Sequence, residues 1–313
     1  MKRFFIYSLL VLICSAAAKA QQDPIYTQYM FNPLNYNPAY AGSKAILSAA
    51  LVYRNQWVGL DGAPKVVTFS AHSPLKNKNM GLGFEMTNDK IGPTSNLTVQ
   101  ASYAYRIRIS KISKGKLGFG LKAGIYNSSI DWNGINYKDQ EDGLVVGSKN
   151  SYLSPIFDFG LYYHRTNRSF AGLTFKNLNS PKQGVNYSGR TTSEESKLYS
   201  QIILTYGKII EISDRAVFRP SALLRTNFQT LPVLDVNLSM LFDQIFWVGL
   251  SYRTTNSIAA VLEYEITQQI KVGYSYDYDV SGLTSTHTGS HEIFLGFNYN
   301  VFKSRMRSPR YYF

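Results

Sequence analysis

Hydrophobic and polar residues alternate along most of the chain. In residues 270–279, IKVGYSYDYD, one face carries Ile, Val and three Tyr, and the other carries Lys, Gly, Ser and two Asp. A period of two indicates a β-strand with two chemically different faces. The same alternation recurs in about fourteen segments of roughly ten residues between residues 44 and 302, separated by turn residues. The pattern therefore predicts an all-β chain.

The lengths of strands and connections favour a membrane barrel over a soluble sandwich. Strands of roughly ten residues exceed the usual five to six of globular sheets. They match the length that a tilted strand needs to cross a bilayer. Long connections such as 127–151 and 178–195 alternate with tight ones such as 76–79 and 243–244. This asymmetry is typical of transmembrane antiparallel outer-membrane barrels. We predict one over residues 44–302, with about fourteen strands and both termini periplasmic.

The composition agrees with a barrel. Charged residues make up 17% and aromatic residues 14% of the chain, whereas charged residues are about a quarter of a typical soluble domain. The less apolar strand face would line the lumen, and a charged lumen also suits a passive porin for small solutes. The predicted lumen-lining charges are Arg106, Glu263, Glu265, Lys271 and Asp277.

The first residues carry a targeting signal. Lys2 and Arg3 precede an apolar run over 4–14, and a small-x-small site lies at 18–20. The apolar run is shorter than the roughly 20 residues of a spanning helix, so we expect residues 1–20 to be a cleaved signal peptide. Cleavage removes Cys14, the single cysteine, and leaves no disulfide or thiolate metal site.

Charge is divided between the two predicted sides of the membrane. Removing the three basic residues of the signal changes the net charge from +13 to +13 − 3 = +10. A basic chain could bind nucleic acid, but an exported protein rarely meets any. On the predicted periplasmic side lie Lys76, Lys78, Lys111, Lys114, Lys116, Arg165, Arg168, Lys303, Arg305, Arg307 and Arg310, the last four in a basic C-terminal tail, 303–313. On the predicted outer side lie Asp131, Asp139, Glu141, Asp142, Glu194 and Glu195.

An irregular segment, 21–43, precedes the first predicted strand. Its part 28–43, QYMFNPLNYNPAYAGS, contains two Asn-Pro steps that exclude a continuous helix or a central strand. We hypothesise that its aromatic residues pack into the periplasmic mouth of the barrel while the Asn-Pro turns present a rigid surface to a partner. The candidate partner-binding residues are Tyr29, Phe31, Asn32, Pro33, Tyr36, Asn37, Pro38 and Tyr40.

Catalytic and metal-binding patterns are weak. His287 and His291 lie near Asp277 and Asp279 in sequence, which would suit a rim hydrolase, but no spacing forces these groups together. The loop DWNGINYKDQEDG, residues 131–143, carries oxygen donors, yet its glycine is misplaced for a calcium loop. We expect no enzyme activity, cofactor or metal, and an extracellular position for the loop around residues 131–147.

Four stretches resemble a known family. DPIYTQYMFNPLNYNPAYAGS, YRNQWVGLDGAPKVVTFSAHSP, NDKIGPTSNLTVQASYAYRI and the final SPRYYF are similar to the PorP/SprF family of type IX secretion proteins of the Bacteroidota. The resemblance implies a non-enzymatic outer-membrane barrel that serves export or surface display of proteins such as gliding adhesins. The partners that it implies are a periplasmic peptidoglycan-binding lipoprotein and adhesins with a type B C-terminal domain.

Overall fold

One antiparallel β-sheet closes on itself to form a barrel. The computed structural model describes residues 23–109, 115–131, 149–165, 168–181, 197–280 and 286–301. In chain order the strands of these residues are β1 (Leu47–Asn55), β2 (Lys65–Pro74), β3 (Met80–Ile91), β4 (Thr94–Arg108), β5 (Gly115–Asp131), β6 (Lys149–Arg165), β7 (Ser169–Lys176), β8 (Gln201–Lys208), β9 (Ile210–Ser213), β10 (Ala216–Thr226), β11 (Val233–Phe242), β12 (Phe246–Arg253), β13 (Ser257–Glu265), β14 (Ile270–Asp279) and β15 (Ser290–Tyr299).

Within the described residues, the fifteen strands occupy fourteen positions around the barrel. β8 and β9 both pair with β10, and they are separated at Ile209, where the backbone N–H donates to the carbonyl of Arg168 at 2.7 Å. β1 pairs with β15 and closes the ring. The predicted antiparallel barrel of about fourteen strands is therefore confirmed, although β1 begins at Leu47 and not at residue 44.

The two rims of the barrel differ. Leu47 lies opposite Tyr299, so both ends of the strand region meet at one rim, which we call the turn rim. Its connections are short, as at 75–79, 214–215 and 243–245. At the opposite loop rim lie the connections 56–64, 92–93, 132–148, 177–200, 227–232, 254–256 and 280–289. Long connections are thus confined to the loop rim, although two connections there are tight.

The strand faces have the predicted chemistry. Leu82, Leu121 and Leu250 are 48%, 62% and 63% exposed on the outer surface, although each lies within a strand. Exposed apolar side chains all round a barrel form a lipid-facing surface. The inner face is polar, and Ser275 and Asp277 of β14 are buried there.

The predicted lumen charges lie on the inner face. Arg106 and Glu263 are buried, as is Asp277. Lys271 Nζ lies 3.4 Å from a carboxylate oxygen of both Glu263 and Glu265. All five charged residues that were predicted to line the lumen therefore lie on the inner face. Among the described residues, no helix has the length and apolarity needed to cross a membrane.

Several predictions concern residues that the structure does not describe. The signal peptide 1–20 and the tail 303–313 are among them, as are all of the acidic loop 131–143 except Asp131. The predicted rim charges in this group are Lys111, Lys114, Asp139, Glu141, Asp142, Glu194 and Glu195.

Candidate functional site

Residues 23–43, here called the lumen segment, lie inside the barrel. At one end, Asp23 accepts a hydrogen bond from Gln201 Nε2 at 2.6 Å, close to where β8 begins at the loop rim. At the other end, the Gly42 N–H donates to His72 Nδ1 at 3.2 Å, near the turn-rim end of β2. The segment therefore runs along much of the lumen before the chain enters β1.

The two Asn-Pro steps start two short 3-10 helices, Pro33–Asn35 and Pro38–Tyr40. Proline suits the first position of a helix because its φ is already helical and its missing N–H has no partner there. Asn37 caps the second helix by accepting a hydrogen bond from the Ala39 N–H at 2.9 Å. Its Nδ2 donates to the Leu161 carbonyl on β6 at 2.8 Å, which fixes the turn to the barrel wall.

The two Asn-Pro turns lie inside the barrel and are mostly buried. Asn32 and Asn37 are 6% and 3% exposed, and Pro38 is buried with the helix that it starts. The aromatic residues do pack against the barrel, with Phe31 and Tyr40 close to the turn rim and Tyr29 deeper in the lumen. Tyr29 Oη, for example, lies 3.1 Å from Ser221 Oγ on β10. Partner binding by the eight candidate residues stays a prediction.

Glycines on the inner wall make this position possible. A Cβ atom at Gly120 would overlap the backbone of Ala39, and one at Gly81 would overlap the backbone of Ala41. At Gly160, a Cβ atom would overlap the Asn37 side chain. Glycine within a strand often marks a close approach of another backbone. The pairs at 81/83 and 118/120 have the spacing of one strand face, and that face receives the lumen segment.

A buried ionic network holds the N-terminal part of the lumen segment. The Glu292 carboxylate accepts the backbone N–H groups of Thr27 and Gln28, each at 2.9 Å. Thr27 Oγ1 donates to Asp277 at 2.6 and 2.7 Å. Arg54 Nη2 lies 2.7 Å from Asp277, and its Nη1 lies 3.1 Å from Glu292. Side chains of β1, β14 and β15 thus converge on two residues of the segment.

The network extends to β11 and β12. Arg253 Nε lies 2.6 Å from Asp235, and Arg253 Nη1 lies 3.7 Å from Asp277. Arg225 lies 3.5 Å from the same Asp235 carboxylate. Three arginines therefore match three carboxylates, and this balance is needed because an unpaired charge in a buried site is costly.

Contacts further along the segment fasten it to β3, β4 and β5. Lys122 Nζ lies 3.2 Å from both Glu85 and the Leu34 carbonyl. Arg106 Nη1 donates to the Ala41 carbonyl at 2.5 Å, and its Nη2 donates to the Lys78 carbonyl at 3.2 Å. Arg106 thus links the end of the lumen segment to the turn between β2 and β3.

Aromatic side chains pack around the segment in the turn-rim half of the lumen. Tyr40 makes edge contacts with His72 and Tyr162, with ring centroids 5.2 and 5.3 Å apart. The Arg219 guanidinium lies 4.0 Å from the Trp247 ring centroid and 5.0 Å from that of Phe31. Such edge-to-face and cation–π arrangements are the favoured geometries for aromatic groups.

A cavity remains beside the segment at the turn rim. Its empty volume is about 560 Å³, including space open to solvent. Phe31, Asn32 and Pro33 form part of its lining, together with Lys44 just before β1. Ser48 and Asn298, close to the turn-rim ends of β1 and β15, also line it. Part of the lumen segment can therefore be reached from this rim.

Among the described residues, basic side chains are concentrated on one arc of the turn rim, from the β2–β3 turn to β7. Asp214 and Asp243 lie exposed at the same rim on the side of β9 to β12, and Arg215 is 3.8 Å from Asp243. Among the described residues, no carboxylate pairs with the members of the arc. The basic arc consists of Lys76, Lys78, Arg108, Lys116, Arg165 and Arg168.

The four residues of the candidate rim hydrolase do not form one cluster. His291 Nδ1 lies 2.6 Å from Tyr274 Oη on the outer side, whereas Asp277 lies in the buried ionic network. His287 Nε2 lies 3.5 Å from Asp279, which accepts a hydrogen bond from Trp57 Nε1 at 2.7 Å. Within the described part of the chain, no group of three or more His, Cys, Asp or Glu could hold a metal ion.

The anchors of the lumen segment were not recognised in the sequence. Alternation placed Asp277 in the lumen and put Glu292 on the corresponding face of β15. Arg54 falls on the inner face of β1 by the same rule. The sequence carries no signal that these three side chains meet, since β1 and β14 become near neighbours only when β15 closes the barrel between them.

Comparisons with solved structures yield distant likenesses. The monoaromatic hydrocarbon channel CymD is 13% identical, with 90% of this chain and 94% of that chain covered and a TM-score of 0.49. A Pseudomonas aeruginosa FadL homologue is 12% identical, with 90% and 95% covered and a TM-score of 0.46. The outer membrane protein Omp33 of Acinetobacter baumannii is 8% identical, with 82% and 99% covered and a TM-score of 0.44. Similarity at this level carries no information on function.

The sequence itself provides the assignment. A search of curated proteins gives no significant match. The profile described as "Type IX secretion system membrane protein PorP/SprF" matches residues 18–297, which is most of the chain. Together with the closed barrel and its apolar outer surface, this match places the protein in the outer membrane as a component of that secretion system. The chain belongs to the PorP/SprF family of type IX secretion system membrane proteins.

Proposed function

We propose that the protein is a closed docking barrel, which binds other secretion components or their cargo and does not conduct solutes. The observation that carries this proposal is the lumen segment, which fills the barrel and is fastened by buried ion pairs to several strands. We further propose that residues 1–20 are removed as a signal peptide and that the turn rim and both termini face the periplasm. The protein has no catalytic role in this proposal.

The turn rim is the proposed docking surface. The basic arc offers unpaired positive charge, and the adjacent cavity offers the apolar faces of Phe31 and Pro33. Arg106 joins the two features through its bonds to Ala41 and Lys78. Charge complementarity would steer an acidic partner to this rim, and buried aromatic contacts would hold it there.

The eight candidate residues divide into two groups in this proposal. A partner would contact those that line the turn-rim cavity, namely Phe31, Asn32, Pro33 and Tyr40. The remaining four would act indirectly by keeping the segment rigid, which lowers the entropy lost on docking. They are Tyr29, Tyr36, Asn37 and Pro38.

Family membership suggests the partners. We propose a periplasmic peptidoglycan-binding lipoprotein at the turn rim and secreted adhesins with a type B C-terminal domain as cargo, including adhesins used in gliding. The alternative function, a passive porin for small solutes, requires a continuous water path through the lumen. The occupied lumen favours docking over that alternative.

The wild-type protein is expected to be electrically silent in planar lipid bilayers. The lumen segment blocks the path along the barrel axis, so insertion should add no stable current steps at moderate voltage. Correct insertion is checked by heat-dependent migration on gels and by a β-type circular dichroism spectrum. Stable open-channel currents from correctly folded protein would favour the porin and contradict the closed barrel.

Reversing charge in the basic arc should weaken partner recovery. The double variant K76E/K78E changes two exposed residues of the turn between β2 and β3 without touching the lumen segment. We expect about tenfold less recovery of other type IX components after affinity purification from native membranes, because charge complementarity becomes repulsion. Quantitative mass spectrometry of the purified material measures this change.

A matched control exists at the opposite rim. Lys65 and Lys90 are exposed and pair across β2 and β3 near the loop rim, so K65E/K90E makes the same charge change there. Recovery should remain at the wild-type level. If K65E/K90E reduces recovery and K76E/K78E does not, the docking surface lies at the loop rim.

A further inference from the structure

A second cavity lies in the lumen towards the loop rim. It has an empty volume of about 710 Å³, including space open to solvent. Asp89 near the loop-rim end of β3 lines it, as do Asn177, just after β7, and Gln201, at the start of β8. The proposed docking function uses none of these three residues.

Asp89 differs from the other charged residues that line this cavity because it has no partner among the described residues. It is 5% exposed, its Oδ1 is buried without a hydrogen-bond donor, and no described cation pairs with it. A buried carboxylate is normally paired or hydrogen-bonded, because burial of a lone charge is costly. The other charged groups in the cavity have partners. They form the pairs Asp23–Lys176, Glu85–Lys122 and Arg225–Asp235.

Two amide oxygens in the same cavity also lack donors. Asn177 and Gln201 are 0% and 6% exposed, and Asn177 Oδ1 and Gln201 Oε1 make no hydrogen bond. The hydrogen bonds of the amide nitrogens fix which way each amide group points. Asn177 Nδ2 and Gln201 Nε2 donate to Asp23 at 3.3 and 2.6 Å. Reversing either amide would place an oxygen against the Asp23 carboxylate. The cavity therefore presents three buried acceptors and one uncompensated negative charge.

We propose that this cavity binds a primary ammonium group, as carried by a lysine side chain or a small free amine. An ammonium group has one positive charge and three N–H donors, which match the single excess charge and the three vacant acceptors. The rings of Tyr26, Tyr36 and Tyr126 also line the cavity, and aromatic walls suit a cation with an aliphatic stem.

The test measures how ammonium compounds change the unfolding midpoint of the full-length barrel in detergent. A ligand that binds the folded state alone raises the midpoint in a saturable way. The probes are methylammonium chloride and the peptide acetyl-Gly-Lys-Gly-amide. Tetramethylammonium chloride, which has no N–H donor, and sodium chloride at equal ionic strength serve as reference salts. We expect the two primary amines to raise the wild-type midpoint and the two reference salts to leave it unchanged.

The variant D89N identifies the site. Because it removes an unpaired buried charge, it should fold with a midpoint at least as high as wild type in the absence of ligand. Its apparent affinity for either amine should fall at least about tenfold, as expected when an ion pair worth more than 1.4 kcal/mol is lost. In the control D243N, an exposed residue at the turn rim loses its charge, and the ammonium response should persist.

The outcomes separate the ligand sources. A stronger response to the peptide assigns the site to a lysine side chain, and a response to methylammonium alone assigns it to a small free amine. If neither amine raises the wild-type midpoint, or if D89N responds as wild type does, the cavity holds only water and the proposal is wrong. These results do not depend on bilayer conductance or partner recovery, which test the proposed function.

Discussion

Replacing Gly120 with leucine should open the barrel. The new side chain would point into the lumen and overlap Pro38 and Ala39 of the second 3-10 helix. The strand itself tolerates leucine, so the barrel should still fold, whereas overpacking of this kind costs about 1–3 kcal/mol. Displacing the segment from the wall relieves the overlap. We expect G120L to show stable current steps in planar bilayers and faster proteolysis within residues 23–43.

The outer face of the same strand provides the control. Ala123 is exposed on the lipid side of β5, so A123L adds a leucine to the same strand without entering the lumen. This variant should stay silent and resist proteolysis as wild type does. If G120L also folds and remains silent and protected, the close approach of Gly120 and Ala39 is not what keeps the segment in place.

Removing Arg54 should produce the largest loss of stability. The variant R54A would leave Asp277 and Glu292 without the cation that bridges them at 2.7 and 3.1 Å, and Arg253, 3.7 Å from Asp277, is the nearest remaining cation. Breaking a buried pair by removing one partner typically costs about 3–5 kcal/mol. Urea unfolding of the protein refolded into lipid vesicles measures the change in free energy.

Two further variants show whether the loss comes from unpaired charge. In R54M/D277N/E292Q the two carboxylates are neutralised, so a substantial part of the stability should return. In R215A an exposed pair with Asp243 at the turn rim is removed, and the unfolding midpoint should not change. A triple variant as unstable as R54A would mean that the arginine acts through packing and not through charge.

Periodicity was sufficient to predict the barrel and the identity of its inner face. In β14, the alternation of Tyr with Ser and Asp placed Ser275 and Asp277 inside, and both are buried there. The inner and outer residues of each strand can be assigned from that strand alone, because successive side chains point to opposite faces of the sheet. The order of strands also follows from the sequence, because strands that are consecutive in the chain usually pair with each other.

Contacts inside the lumen could not be obtained in this way. The position of residues 28–43 depends on the width of the closed ring and on glycines more than thirty-five residues further along the chain, such as Gly81 and Gly120. The aromatic character of the segment correctly indicated burial, but it did not indicate depth. The break at Ile209 was also missed, because the alternation on either side of it is compatible with one continuous strand.

The contacts of Thr27 have a consequence for biogenesis. Thr27 is separated by 250 residues from Asp277 and by 265 residues from Glu292, both of which lie in the final hairpin. The segment emerges first during synthesis, yet its anchors exist only after the last strand has joined β1. Such distant pairings form late, because the entropy of closing the whole chain must first be overcome. The N-terminal segment can therefore bind in the lumen only after the barrel has closed. A truncated or unclosed chain would leave residues 23–43 open to proteases.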